Sequence, residues 1–207
     1  MHIEFLVEEE SCRAALEELV PRIVPQVSFT VHAYNGKPDL LRQLSARLRG
    51  YRKWLPADWR IAIVLDADTG QPCEKLKDSV EHMVRQAGFH TKSHTDSQGG
   101  FEVLTRLAVE ELEAWFFGDL DAVRAAYPRV PDSLERKSRF RNPDAIAGGT
   151  WEALEQVLRR AGYHKTRLPK KKAAKAIAEH MNPDRNRSRS FRTFRTGLLA
   201  LAGETVQ

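Results

Sequence analysis

The sequence predicts an α/β fold in which a parallel sheet is flanked by helices. Over the first 110 residues, short apolar runs alternate with segments whose apolar residues recur at three- and four-residue spacing. That order is expected of strands joined by right-handed crossover helices. Beyond this point the pattern is helical only. We therefore expect a sheet domain over residues 1–109 and a basic helical extension over residues 110–207 that packs on it.

Four segments are expected to form the strands, because each is apolar or alternating and is bounded by turn residues. Residues 2–7 and 60–65 are nearly continuous apolar runs, typical of strands buried on both faces. Residues 27–31 alternate, and residues 101–107 follow a glycine pair. The sheet is expected to end near residue 110.

Helices are expected between these strands and throughout the extension, where apolar residues fall on one face. Phe191 and Phe194 are expected to pack the last helix rather than to stack on bases. The predicted helices span residues 11–24, 39–54, 73–87, 110–117, 120–127, 151–161, 170–180 and 190–201.

Composition and charge narrow the class of protein. The 207 residues are 42% hydrophobic, enough for a folded core. No apolar stretch reaches membrane-spanning length, the N-terminus does not resemble a signal peptide, and two cysteines make no disulfide framework, so we expect a cytoplasmic protein. Residues 164–207 contain eleven Lys and Arg against three acids, a net charge of +8, whereas the rest of the chain is −3. An acidic body with a basic tail suits a polyanion held against a metal site, although a basic tail that only aids solubility would look the same.

Acidic residues directly follow the first and third predicted strands. Glu8, Glu9 and Glu10 come after the first, and Asp66 and Asp68 after the third. The carboxyl ends of parallel strands line the crevice in which open sheets bind ligands, so these acids should meet there. Two carboxylates about 4 Å apart repel by roughly 4 kcal/mol at a surface-like dielectric. A hard divalent cation, Mg²⁺ or Mn²⁺, is therefore expected between them.

A structural alternative exists for part of this cluster. Glu9 and Glu10 also suit the first turn of a helix, where acids interact favourably with the helix dipole. Asp66 and Asp68 are poorly explained in this way, because the next predicted helix starts only at Cys73.

The layout of these acids resembles the Toprim fold, in which an acid closes the first strand and a D-x-D motif closes the third. That Rossmann-like fold is shared by topoisomerases, bacterial primases and overcoming-lysogenization-defect nucleases. The chain also resembles a family of uncharacterised bacterial Toprim-like proteins that are often encoded beside an ATPase in defence-related loci. The supporting stretches are Leu6-Val7-Glu8-Glu9-Glu10-Ser11, Leu65-Asp66-Ala67-Asp68, Glu110-Glu111-Leu112-Glu113-Ala114-Trp115 and Asp184-Arg185-Asn186-Arg187-Ser188-Arg189-Ser190-Phe191.

The resemblance implies specific roles for these acids. Glu8 would be a metal ligand or general base, and Asp66 and Asp68 would be metal ligands, all three being catalytic. Two features depart from the usual Toprim pattern: Glu9 stands where a glycine is expected, and no third aspartate follows Asp68. Glu111 is the best candidate for a further ligand, although its helix also reads as an amphipathic one with a solvated acidic face.

Basic residues cluster near the C-terminus, where arginines alternate with hydroxyl residues. Both residue types donate to phosphate oxygens, so this region is expected to bind nucleic acid. The alternative is that these side chains brace helices internally by pairing with acids. The candidates are Lys165, Arg167, Lys170, Lys171, Lys172, Arg185, Arg187, Arg189 and Arg192.

Other chemistries are poorly supported. His90 and His94 have no third ligand at zinc spacing, and no glycine pair is followed by the Lys-Ser/Thr of a phosphate loop. Tyr34 and Tyr51 stand in no motif, so a covalent tyrosine like that of topoisomerases is not expected.

The resemblance therefore implies a Mg²⁺-dependent nuclease or related phosphotransfer enzyme, acting on DNA or RNA as the effector of an ATPase-associated anti-phage defence system. One alternative is a non-catalytic module that binds nucleic acid or the ATPase. Another is a primase-like nucleotidyl transferase that uses the same carboxylates.

Overall fold

A computed structural model describes residues 1–67, 72–164 and 168–204. Its centre is a four-stranded sheet in which every pairing is parallel, with the order β2-β1-β3-β4. The predicted α/β class with a parallel sheet flanked by helices is therefore confirmed. The strands are β1 (His2–Val7), β2 (Ser28–Ala33), β3 (Trp59–Asp66) and β4 (Val103–Ala108).

Eight α-helices lie in the described residues. The first three connect the strands, and the others follow β4; three short 3-10 helices, Asp132–Arg136, Ser138–Phe140 and Pro143–Ala145, lie between the fifth and sixth. The helices are α1 (Glu10–Ile23), α2 (Lys37–Trp54), α3 (Cys73–Gln86), α4 (Glu113–Phe117), α5 (Leu120–Ala126), α6 (Thr150–Arg160), α7 (Lys170–Ala178) and α8 (Arg189–Leu201). Among the described residues, none of these helices is long and apolar enough to cross a membrane.

The central strands β1 and β3 are buried on both faces, because their successive residues point to opposite sides of the sheet and both sides are packed. In β3, Ala62 and Val64 pack with α1 and the C-terminal helices, whereas Ile61, Ile63 and Leu65 pack with α2 and α3. The nearly continuous apolar run of β3 follows directly from this arrangement.

The chain order creates a topological switch point at the centre of the sheet. From β1 the chain moves outward to β2, and then crosses back over β1 to form β3 on the other side. The carboxyl ends of β1 and β3 therefore adjoin without a helix between them, which is where open α/β sheets form their ligand crevice.

The helices after β4 join the core of the sheet. α7 packs on α1, and α8 packs on β4. Trp115 of α4 is fully buried, stacks on Phe194 of α8 at a centroid distance of 4.9 Å and donates from Nε1 to Ser190 Oγ at 3.1 Å. Phe191 and Phe194 are both fully buried, so the prediction that they pack the last helix is confirmed.

One predicted helix starts later than expected. The pattern predicted a helix from residue 110, but α4 begins at Glu113. Glu110 and Glu111 instead form the turn that leaves β4, and the Glu111 carboxylate binds the start of another helix, described below.

Candidate functional site

The acids after β1 and β3 meet at the switch point. The backbone N–H of Asp66 donates to Glu8 Oε2 at 3.2 Å, so the Glu8 side chain reaches from the end of β1 to the end of β3. The peptide around Glu8 is held in turn by Gly36, whose N–H donates to the Glu8 carbonyl at 2.9 Å. The structure thus brings together two of the sequence-predicted site residues, Glu8 and Asp66.

Asp66 lies in a strongly acidic environment. Burial, and then the charges of Glu113, Glu8 and Glu9, raise the pKa of its carboxyl well above the usual range. A carboxylate in such surroundings favours either a proton or a cation beside it.

Glu113 is a buried acid that forms, together with Glu8, Glu9 and Asp66, a cluster of carboxylates at the switch point. It is the first residue of α4, is 3% exposed, and accepts a hydrogen bond from its own backbone N–H. Burial raises its pKa to about 7, and the nearby Lys170 ammonium opposes that rise.

Glu9 also belongs to the cluster, and its backbone conformation does not require a glycine at this position. Its backbone is extended, with φ −151° and ψ 169°, a conformation open to any residue. Its Oε1 accepts from Ser11 Oγ at 2.5 Å and lies 3.6 Å from Lys170 Nζ. The departure from the Toprim pattern at this position is therefore accommodated without strain.

Lys170 brings a positive charge to these acids. Its ammonium also lies 4.7 Å from the centroid of the Trp151 ring. Burial alone would lower the pKa of Lys170, but Glu113, Glu9 and Glu111 together raise it, so the side chain stays protonated. The first residue of α7 is thus a built-in counter-charge for the cluster.

Glu111 has a structural task at the edge of the cluster. Its Oε2 accepts from Thr150 Oγ1 and from the Trp151 backbone N–H, both at 2.8 Å. These groups belong to the first turn of α6, whose N-cap residue, Gly149, has no side chain to accept them. Glu111 therefore caps α6 while its charge still raises the pKa of Asp66.

The donor set suits a hard divalent cation in type and charge, because it consists of carboxylates that repel one another. Within residues 1–67, 72–164 and 168–204, however, no three His, Cys, Asp or Glu side chains converge so as to hold a metal ion. Asp68 lies outside the described residues. Glu8 and Asp66 would hold the ion, and a third ligand would have to come from elsewhere.

A thiol nucleophile is excluded at this site. Cys12 is fully enclosed beneath the cluster, and burial together with the charges of Asp66 and Glu9 raises its pKa well above the normal range. The thiol therefore stays protonated at neutral pH, and the thiolate is the nucleophilic form.

A family model described as "Domain of unknown function (DUF4276)" matches residues 7–199. The chain belongs to this family. None of the curated proteins matches it. Among solved structures, it is similar to the C-terminal region of the Burkholderia pseudomallei OLD protein, with 14% identity, 97% of this chain and 98% of that chain covered, and a TM-score of 0.44. Both values are too low to indicate a shared activity.

The basic candidates of this DUF4276 chain fall into two groups. Some pair with acids: Lys170 with Glu9, Lys171 Nζ with Glu10 Oε2 at 2.6 Å, and Arg185 Nη2 with Asp119 Oδ1 at 3.1 Å. These ion pairs are expected from the alternative interpretation, in which basic side chains brace the helices by pairing with acids. The others, Lys172, Arg187, Arg189 and Arg192, are exposed, and Lys165 and Arg167 lie outside the described residues.

The arginine-rich stretch 184–191 has an alternating structure. Asn186, Ser188 and Ser190 are buried, and the arginines between them are exposed. Asn186 Nδ2 donates to the Trp115 carbonyl at 2.8 Å, and Ser188 is the N-cap of α8, accepting from Phe191 N. Asn186, Ser188 and Ser190 thus fix the backbone of this stretch, and the side chains of Arg187 and Arg189 remain exposed.

Sequence reasoning missed two members of the cluster. The sequence pattern assigns Glu113 no role in the site, although an acid inside the apolar run Leu112–Phe117 is a visible signal of burial. Lys170 was assigned to nucleic acid, and no sequence pattern could indicate its approach to Glu9, because the two residues are distant along the chain.

Proposed function

We propose that this DUF4276 domain is a divalent-metal-dependent nuclease whose active site is the switch-point cluster. The observation that supports this most is the hydrogen bond between Glu8 and Asp66, which joins acids from two strands at the crevice of an open sheet. A raised pKa is common among catalytic carboxylates, and burial together with the charges of the acidic neighbours raises the pKa of Asp66.

In this proposal Glu8 and Asp66, with Asp68, hold Mg²⁺ or Mn²⁺. The ion would supply a more acidic water and a positive charge on the phosphate. A cation that balances the surrounding negative charge would lower the raised pKa of the Asp66 carboxyl and would favour its charged form. Lys170 Nζ holds Glu9 and offers a second positive charge to a phosphate that enters the crevice.

Metal binding is tested by calorimetric titration of Mg²⁺ and Mn²⁺ into the wild type, Asp66→Asn, Glu8→Gln and the control Asp58→Asn. Asp58 is exposed beside the N-terminal amine, at the opposite edge of the sheet. Titration in two buffers of different ionisation enthalpy measures the protons released. We expect binding with proton release in the wild type and in D58N, and a loss of binding in D66N and E8Q.

Cleavage is tested with end-labelled single- and double-stranded DNA and RNA in the presence of each ion. Activity in the wild type and in D58N that is lost in D66N and E8Q supports the proposal. Metal binding that leaves every substrate intact contradicts a nuclease, and binding that survives D66N and E8Q contradicts the site.

A non-catalytic binding module is the second candidate, and a specific observation favours it. Lys170 already supplies the cluster with a cation, and in the described part of the chain three ligands do not converge on one point. In that case D66N would leave nucleic-acid binding unchanged and would add stability at neutral pH, because it removes the repulsion between the Asp66 carboxyl and the neighbouring acids.

The proposal also includes a partner protein and a biological role. The partner would be a separate ATPase, with which the domain would act in anti-phage defence. A primase-like nucleotidyl transferase would use the same carboxylates, so nucleoside triphosphates are included in the cleavage assays, where primer extension would favour that alternative.

A further inference from the structure

A groove runs from the carboxyl edge of the sheet along α8, and we call it the β4–α8 groove. It consists of two adjoining cavities of about 560 Å³ and 330 Å³ that share Arg106, Arg189 and Thr193. The smaller cavity is lined by Lys92, Arg106, Arg189, Arg192, Thr193 and Thr196. Its lining contains four basic residues and no acid.

The α8 side of the groove is one helix face. Arg189, Arg192, Thr193 and Thr196 are separated by three, four and seven residues and therefore lie in one row. The row extends for about 10 Å at 1.5 Å per residue. The opposite face of the helix is fixed in the core, so the row has a constant direction.

Arg106 of β4 forms the floor of the groove. Its Nε donates to the Thr193 carbonyl at 3.1 Å, and its Nη1 donates to the Thr105 carbonyl at 2.8 Å. Gly197 makes this position possible, since a Cβ there would lie 2.7 Å from Nε and Nη2. The guanidinium is thus held rigidly by neutral carbonyls.

The basic residues of the groove differ from Lys170, Lys171 and Arg185, each of which pairs with an acid. Across the described residues, Lys92, Arg106, Arg189 and Arg192 have no carboxylate within ion-pair distance. The larger cavity is also lined by two acids, Glu74 and Asp144, and the Asp144 carboxylate accepts from the hydroxyls of Ser188 and Ser190 at the start of α8. Four neighbouring cations without a carboxylate partner repel one another. Burial, and then the charge of Arg106, lower the pKa of Lys92.

The groove opens beside the carboxylate cluster. Val109 lines the larger cavity and directly follows Ala108, which is the register partner of Asp66. Neighbouring strands lie about 4.8 Å apart, so the end of the groove is one strand away from Asp66.

We propose that the β4–α8 groove binds the phosphodiester backbone of a nucleic-acid strand that leads into the cluster, with Lys92, Arg106, Arg189 and Arg192 as the phosphate contacts. A row of about 10 Å is longer than one phosphate group, and each strand of a duplex carries one phosphate per about 3.4 Å of helix axis, so the row suits a polyanion better than a single phosphate group. Arginine and threonine donate to phosphate oxygens without reading the bases, so the contact is independent of sequence. This inference rests on the proposed function for the statement that the strand is a nucleic acid. It adds Lys92 and Arg106 to the sequence-predicted phosphate contacts, and it leaves Lys170, Lys171 and Arg185 out of the groove.

The test measures binding separately from cleavage. Fluorescence anisotropy with labelled 20-nucleotide single strands and duplexes of DNA and RNA, in EDTA, compares the wild type, Arg189→Gln/Arg192→Gln and Lys92→Gln with a matched control. The control is Arg49→Gln/Lys53→Gln, which removes from α2, on the other face of the sheet, two exposed charges that are four residues apart. Circular dichroism verifies that each variant is folded.

We expect the R189Q/R192Q variant to bind at least ten-fold more weakly than the wild type at 100 mM salt. Its slope of log affinity against log salt should be smaller by about 1.4 for single strands or about 1.8 for duplexes, since each lost phosphate contact removes about 0.7 or 0.9. K92Q should have about half of this effect, and the control should change affinity less than two-fold.

Equal losses in the groove variant and the control would overturn the proposal, because the effect would then be one of net charge. A wild type that binds none of the four nucleic acids would overturn it as well. If binding follows the groove residues but no metal ion supports cleavage, the groove stands and the nuclease proposal fails. If cleavage occurs while R189Q/R192Q binds as the wild type does, the nuclease stands and the groove proposal fails.

Discussion

Lys170 Nζ lies 3.6 Å from Glu9 Oε1, so the first residue of α7 brings its ammonium group to the acids at the carboxyl end of β1. The contact joins residues from opposite ends of the chain. It ties the helical extension to the acids that follow β1, and the same ammonium opposes the rise that burial causes in the pKa of Glu113.

Replacing Lys170 by methionine should destabilise the protein in a pH-dependent manner. The side chain is about one-third exposed, so with solvent screening the loss in the free energy of unfolding should be about 1 kcal/mol at pH 8. At pH 5 the loss should be smaller, because Glu113 is then protonated in either variant. Urea unfolding at the two pH values measures the difference.

Lys175→Met is the matched control for that change. Lys175 is on the same helix and lies 3.8 Å from Glu18, at an exposed position. Its effect on unfolding should be close to zero at both pH values, and an equal effect of the two substitutions would contradict a special role for Lys170.

Glu113 should make stability fall as the pH rises. Its pKa is about 7 in the folded protein against an ordinary 4.5, so the folded state favours the protonated carboxyl. Below pH 4.5 the group is neutral in both states and has no pH-dependent effect. Between pH 4.5 and 7 the unfolded chain loses its proton first, and folding becomes less favourable by about 3 kcal/mol in all.

Glu113→Gln removes this titration. The difference in unfolding free energy between E113Q and the wild type should therefore shift by about 3 kcal/mol in favour of the variant from pH 4.5 to pH 8. The comparison uses chemical unfolding at several pH values in EDTA. A difference that stays constant across this range would show that Glu113 titrates normally.

Two substitutions of Glu111 distinguish its role as the cap of α6 from the effect of its negative charge. Glu111→Gln keeps an oxygen that accepts from Thr150 and Trp151, so α6 should lose little stability. Glu111→Ala removes the acceptor and should cost about 1 kcal/mol, the usual value of a lost N-cap. If Glu111 also binds metal, E111Q should weaken Mg²⁺ affinity in calorimetry while its thermal unfolding stays close to that of the wild type.

Gly197 and Gly50 form a matched pair of helix glycines. A Cβ at Gly197 would lie 2.7 Å from the Arg106 guanidinium and 2.9 Å from Leu104 Cδ1, whereas nothing lies within 4 Å of one at Gly50. Gly50→Ala should stabilise the protein by about 0.5–1 kcal/mol through helix propensity. Gly197→Ala should instead destabilise it by about 1–3 kcal/mol, as overpacked positions do.

Urea unfolding of both variants checks this pair, and stabilisation of both would mean that Arg106 moves away without cost. The same G197A protein is also informative for the groove. Because it displaces the Arg106 guanidinium, its affinity for labelled DNA should fall, while that of G50A should remain at the wild-type value.

The sequence by itself determined the class of fold and the place of the first acids. Periodicity located the strands and most helices to within a few residues, since burial on both faces of a parallel sheet requires nearly continuous apolar runs. Glu8 and Asp66 could be placed together because a parallel sheet brings the carboxyl ends of its strands to one edge.

Only the tertiary structure decided which charges share that edge. Lys170 and Glu113 join the cluster, Glu111 caps α6, and Arg106 forms the floor of the groove through contacts between elements that are far apart in sequence. Local patterns report which face of an element is buried, but not which partner covers it. The direction of each helix after β4 depends on packing against α1 and β4, and no periodicity in the chain encodes that choice.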